Sequence, residues 1–164
     1  MRLATDQLRV LYQKHGAALA AYACSLGLDF ASAEDVVQQL FLKLLQGSMI
    51  PIEAPVPYLY RAVRNASLNL RRDRRHEIEL PAEELWLTHR TADSAEIYSV
   101  QNALRELPAE QRETVFLKIW GGLTLQEIAD ATGSSINTVA SRYRYALEKL
   151  GERLAARRSV EEQL

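Results

Sequence analysis

The sequence predicts an all-α protein: two small helical domains joined by a flexible linker. Three observations carry that expectation. Apolar residues recur at three- and four-residue steps in both halves, which is the period of an amphipathic helix. No run reads as a strand, and no internal repeat or low-complexity segment is present. Between the halves, residues 76–95 lose the period and turn acidic. The expected bounds are 1–75, 76–95 and 96–164.

In the first half, Leu8, Leu11, Tyr12, Leu19, Tyr22 and Ala23 mark one helix, broken at Gly27 to Phe30. Ser32 is placed to cap the next, with Asp35 three residues on in the capping-box position. Val36, Val37, Leu40, Phe41, Leu44 and Leu45 form its apolar stripe, and Gly47 ends it. SMIPIEAPVP, rich in proline, is a loop. A third helix is expected from Pro57 to about Arg75, with Leu59, Tyr60, Val63, Ala66, Leu68 and Leu70 inside and its arginines mostly outside.

Residues 76–95 hold one proline and read as a linker, with a short turn at Glu83 to Leu87. Helices resume with Ile97 to Leu107, stopped by Pro108, and Ala109 to Trp120, stopped by Gly121 and Gly122. Then comes LTLQEIADATGSSINTVASRYR. Thr124 and Glu127 form a capping box for a short helix ending near Thr132. Gly133 supplies a tight turn, and Ser134 or Ser135 caps a second helix running to about Arg153.

Two helices joined by a glycine turn describe a helix-turn-helix. Ala129 is small where the helices approach, and Ile136 and Val139 are expected to face back onto the first. The outer face carries Ser135, Asn137, Thr138, Ser141, Arg142 and Arg144, side chains suited to base edges and phosphates in a major groove. No acid lies between Asp130 and Glu148, whereas an ordinary solvated hairpin usually carries some.

Charge is segregated along the chain although the net is −1. Residues 1–75 carry ten Lys/Arg against six Asp/Glu, residues 76–95 one against five, and residues 96–164 nine against ten. PYLYRAVRNASLNLRRDRRH, Pro57 to His76, concentrates the basic excess. Its arginines Arg61, Arg64, Arg71 and Arg72 can neutralise phosphates. Tyr58 and Tyr60 offer stacking platforms for unpaired bases, although Tyr60 shares the apolar stripe with Val63 and equally suits the core. Asn65 and Asn69, four apart, share a face and can read base edges.

These segments resemble the extracytoplasmic-function (ECF) sigma factors of bacterial RNA polymerase, in the sigma-70 family, over about residues 5–155. SAEDVVQQLFLKLL is similar to the segment that docks on the clamp helices of the polymerase β′ subunit. PVPYLYRAVRNASLNLRRDRR resembles the segment that opens and reads the −10 element. LRELPAEQRETVFLKIWGGLTLQEIADATGSSINTVASRYRYALEKL resembles the domain that reads the −35 element. The resemblance implies a sigma region 2-like domain at 1–75 and a sigma region 4-like domain at 96–164. It implies core polymerase, through the β′ clamp helices and the β flap, and promoter DNA as partners, and it leaves room for an anti-sigma factor.

Carried onto this chain, polymerase contact falls on Glu34, Asp35, Gln38, Gln39 and Phe41. The −10 set is Tyr58, Tyr60, Arg61, Arg64, Asn65, Asn69, Arg71 and Arg72, and the −35 set is the outer face of the helix-turn-helix. Gln39 stands where the family often has an acid, Tyr58 where tryptophan is common, and Ala140 where Lys or another polar residue is frequent. Arg142 matches the sigma pattern. Trp86 reads as an anchor holding the linker to a domain or to the polymerase. The alternative is a helix-turn-helix regulator that is not a polymerase subunit.

No catalysis is expected. His15, His76 and His89 are scattered, and no Ser-His-Asp or metal-ligand spacing is present, so neither cofactor nor metal is called for. Cys24 is the only cysteine and reads as core, which suits a reducing compartment. The N-terminus lacks a long apolar run, and Ala17 to Leu28 is too short to span a bilayer. A cytoplasmic protein with no membrane insertion is the expectation.

Overall fold

The computed structural model describes residues 3–47, 50, 53–74 and 94–163. The described residues form seven helices and no strand. The chain divides into two compact units, Met1–Trp86 and Leu87–Leu164. The expected linker, with Trp86 and the turn at Glu83 to Leu87, lies mostly outside the described residues.

The first unit holds α1 (Thr5–Ser25), α2 (Phe30–Leu45) and α3 (Pro55–Asp73), each packed against the other two. Leu19, Tyr22, Ala23 and Cys24 of α1 meet Val37, Phe41 and Leu44 of α2 and Leu59, Tyr60 and Val63 of α3 in the core. Two aromatic pairs in edge-to-face geometry lock it: Tyr22 with Tyr60 at 5.4 Å and Tyr12 with Phe41 at 5.1 Å between centroids. The expected stripe of α2 is narrower than its composition suggests. Val36 and Leu40 are half-buried, and Leu45 faces solvent.

The start of α2 differs from expectation. Asp29 is its N-cap, accepting the Ser32 backbone N–H at 2.7 Å. Ser32 sits inside the first turn, where its hydroxyl accepts from Arg74 Nη1 at 2.9 Å. Both residues can cap, but Leu28 is fully buried, and seating it starts the helix at once. Hydrogen bonds from Ser32, side chain first and backbone second, hold the Asp29 carboxyl below the usual carboxylate range. Asp29→Ala is expected to cost the unit about 0.5–2 kcal/mol at neutral pH. A depressed carboxylate stabilises above its unfolded pKa of about 3.9, and that stabilisation is lost as the pH falls through the folded value. Melting curves of both proteins should therefore converge in acid.

The second unit holds α4 (Ser94–Arg105), α5 (Ala109–Ile119), α6 (Leu125–Thr132) and α7 (Ile136–Glu162). α7 packs against each of the other three. Leu104, Phe116, Leu117, Leu123, Ile128 and Val139 are fully or almost fully buried. Gly121 is required by close approach, since a Cβ there would lie 2.6 Å from the Leu117 carbonyl oxygen. Thr124 caps α6, accepting from Glu127 N–H at 3.1 Å, as expected. α7 runs nine residues past its expected end at Arg153. Its apolar stripe fades after Leu150, so periodicity carries no signal there. Arg153 pairs with Glu106, and Arg157 donates to the Ser99 carbonyl at 3.2 Å, tying the extension to the α4 end of the unit.

Candidate nucleic-acid interface

α6 and α7 meet at Gly133, whose φ of +69° is the left-handed conformation that a side chain disfavours. The Gly133 N–H returns to the Ala129 carbonyl and closes α6. Ser135 caps α7, accepting from Thr138 N–H at 3.2 Å while its own hydroxyl donates to Thr138 Oγ1 at 2.8 Å. Ser135 and Thr138, both expected to face DNA, thus also serve the cap. Val139 is fully buried against α6, as expected. Ile136 is not: it is 44% exposed, because the first residue of α7 lies beyond the reach of the short α6.

Burial sets the orientation of α7. Val139, Ala146 and Leu150 line the inner side. At about 100° per residue, Asn137, Ser141 and Arg144 fall on the opposite side, within about 60° of one another. Asn137 and Arg144 are exposed and Ser141 is half-buried. Arg142 points to the flank, where its Nη1 donates to Ser134 Oγ at 2.9 Å and braces the turn. The sequence reading omitted Tyr145. It is 49% exposed, and the Arg144 guanidinium lies 5.1 Å from its ring centroid. Its position eight residues after Asn137, the same general side of the helix, was the available signal.

On α3, Leu59, Tyr60, Val63 and Ser67 face inward. The opposite side gathers Tyr58, Arg61, Asn65, Asn69 and Arg72 within an arc of about 80°. Four of these are exposed and Tyr58 is half-buried. Arg72 Nη2 donates to Asn69 Oδ1 at 3.3 Å. Tyr60 leaves the set: it is 0% exposed, and burial pushes its phenol well above the usual tyrosine range. A base cannot stack on a ring enclosed by the core. Arg64 lies half-buried on the flank. Arg71 donates to the Leu26 carbonyl at 3.2 Å, so it satisfies a carbonyl at the end of α1.

On α2, the exposed side carries Asp35, Gln38 and Gln39, with Glu34 nearby. Phe41 meets them only at the floor of a groove that Gln38 and Leu42 also line. It is 6% exposed and turned toward Tyr12. The next residue, Leu42, is 46% exposed and stands among the polar side chains. With Leu45 it edges an apolar groove of about 450 Å³ walled by Leu8 and Tyr12 of α1. Asp35 and Gln39 line a second groove, of about 510 Å³, toward Tyr58 of α3.

Among the described residues there is no group of three or more His, Cys, Asp or Glu placed to hold a metal, and no helix long and apolar enough to cross a membrane. Cys24 is fully buried.

Both units match known proteins. Residues 11–77 match sigma-70 region 2, and residues 97–150 match sigma-70 region 4. The ECF RNA polymerase sigma factor SigL of Mycobacterium tuberculosis is 30% identical over 152 residues, covering 87% of this chain and 86% of SigL. The ECF sigma factor RpoE of Cereibacter sphaeroides is 27% identical over 156 residues, covering 88% and 84%. Among solved structures, the sigma factor RpoE of Bartonella quintana, in complex with the anti-sigma factor NepR, superposes with a TM-score of 0.70 at 26% identity. That match covers 93% of this chain and 98% of RpoE.

Proposed function

The chain belongs to the ECF sigma factors of the sigma-70 family, and from that premise we propose how its two helical units divide promoter recognition and transcription initiation. Residues 1–75 dock on core RNA polymerase through α2 and engage the −10 element through α3. Residues 76–95, acidic in composition, connect the two units. Residues 96–164 read the −35 element through α7. The polymerase surfaces that receive the two units are the β′ clamp helices and the β flap. An anti-sigma factor is a further partner, supported by the solved complex of a relative with NepR.

The observation that carries the reading is the outward strip of α3. Tyr58, Arg61, Asn65, Asn69 and Arg72 combine an aromatic face, amides and cations on one side of one helix. That composition suits unpaired bases with their backbone. A regulator that only binds duplex DNA has no use for it, and the match of residues 11–77 to sigma-70 region 2 speaks against that alternative. Within the strip, Tyr58 stacks a base, Asn65 and Asn69 meet base edges, and Arg61 and Arg72 neutralise phosphates. Arg64 and Arg71 act at the flank.

On α7, Asn137 and Ser141 approach bases, and Asn137 prefers adenine when it pairs bidentately. Arg142, braced on Ser134, presents its remaining edge to a phosphate. The test is reconstitution with core polymerase followed by binding to promoter duplexes at several salt concentrations. Asn137→Ala is expected to cost about 1–3 kcal/mol on the preferred sequence and relax choice at one base pair. Arg142→Ala should weaken all sequences alike and lower the salt slope by about one. The reverse pattern would exchange the two roles, and failure of the wild-type chain to bind core polymerase would overturn the reading.

A further inference from the structure

We propose that Tyr145 determines specificity in −35 recognition: its ring seats Arg144 for a guanine edge and itself meets the 5-methyl group of a neighbouring thymine. The inference rests on α7 being the helix that reads duplex DNA.

The reading window of α7 has two ends. It opens at Asn137, just past the Ser135 cap. It closes before Glu148, which is exposed and lies within about 20° of Asn137 around the helix. A carboxylate there repels phosphates and the acceptors of a guanine edge. The window from Asn137 to Tyr145 rises about 12 Å, close to the width of a major groove. Arg144 and Tyr145 are its last two members, and both are exposed.

An isolated exposed aromatic needs no explanation. This one carries the Arg144 guanidinium 5.1 Å from its centroid. A guanidinium stacked on a ring face leaves the N–H groups at its edge, parallel to the ring, open to other acceptors. Those are the groups that pair bidentately with guanine O6 and N7. A guanidinium held in this way has less freedom to lose on binding than one swinging in water. The rest of the exposed ring is apolar, and the thymine methyl is the apolar feature of the major groove.

The experiment uses the full chain bound to core polymerase. A duplex randomised over the −35 segment is selected with the wild type, and single-base variants of the selected sequence are then titrated. Tyr145→Ala is expected to lose about tenfold discrimination at the guanine that Arg144→Ala also releases. The double variant should discriminate there no worse than Arg144→Ala alone. Replacing the adjacent thymine with deoxyuridine removes only the methyl group. It should weaken the wild type and Tyr145→Phe about threefold and leave Tyr145→Ala unchanged. Tyr145→Leu should keep the methyl response and lose the guanine preference, separating the two roles of the ring.

The inference falls if Tyr145→Ala selects bases as the wild type does, or if the deoxyuridine effect persists in Tyr145→Ala. In either case the promoter-reading premise stands, because the wild type has selected a sequence. A wild type that selects none overturns premise and inference together.

Discussion

Leu42→Asp combined with Asp35→Lys is expected to abolish binding to core RNA polymerase while the first unit stays folded. Leu42 lies seven residues after Asp35, within about 20° of it around α2, and Gln38 and Gln39 flank the pair. An exposed leucine rimmed by polar groups has the layout of a binding hot spot, whose truncation costs about 2 kcal/mol or more. A carboxylate at its centre adds the penalty of burying a charge without a partner. Lysine at position 35 reverses a rim charge near the start of α2, where the dipole favours an acid. The side chains are exposed, so the melting temperature should change little. Full affinity for core polymerase in a folded double variant would sink the docking assignment. Phe41→Ala provides the contrast. It empties a core site against Tyr12 and should cost about 3–5 kcal/mol of stability, so its melting temperature should fall where that of the double variant does not.

The inward turn of Phe41 beside an exposed Leu42 marks how far the sequence is legible. Helical period, glycine breaks and the α6 cap place the elements, because each is a local property. Phase is less local. In α2, positions 40, 41, 42, 44 and 45 are all apolar, so the stripe covers more than half the circumference. Only packing against α1 and α3 selects Val37, Phe41 and Leu44 as its centre. Tyr60 was ambiguous for the same reason, and the ring of Tyr22 places it in the core. Ile136 follows every rule for an inward residue except that α6, at eight residues, is too short to cover it.

Arginine roles were hidden differently. Any arginine can bind phosphate, so sequence cannot separate Arg61 and Arg72 from Arg71 and Arg74. The fold does so, because the last turn of α3 runs past the corner between α1 and α2. Arg71 reaches the Leu26 carbonyl and Arg74 the Ser32 hydroxyl. The first ties the C-terminal end of the basic strip to the end of α1, and the second ties it to the docking helix.

The same strip carries the second large effect. Tyr58→Ala with Asn65→Ala is expected to block strand opening while leaving duplex binding nearly intact. Tyr58 and Asn65 are seven residues apart and point the same way, so a single-stranded segment can meet both. Each unpaired base taken from the stack costs a few kcal/mol, and the protein must offset that with contacts that exist only in the open state. A stacked ring contributes about 1–3 kcal/mol per base, and an amide on a base edge adds a comparable amount. Losing both should therefore reduce the open population by about thirtyfold or more, at about 1.4 kcal/mol per tenfold. Arg61 and Arg72 remain, so salt-dependent affinity for closed duplex is kept. Tyr58 and Asn65 are outside the core, so the variant should fold. Permanganate reactivity of promoter thymines measures opening, and a filter or mobility assay on the same holoenzyme measures duplex affinity. Unchanged reactivity with weakened duplex binding would make α3 a backbone clamp and end its assignment as the strand reader.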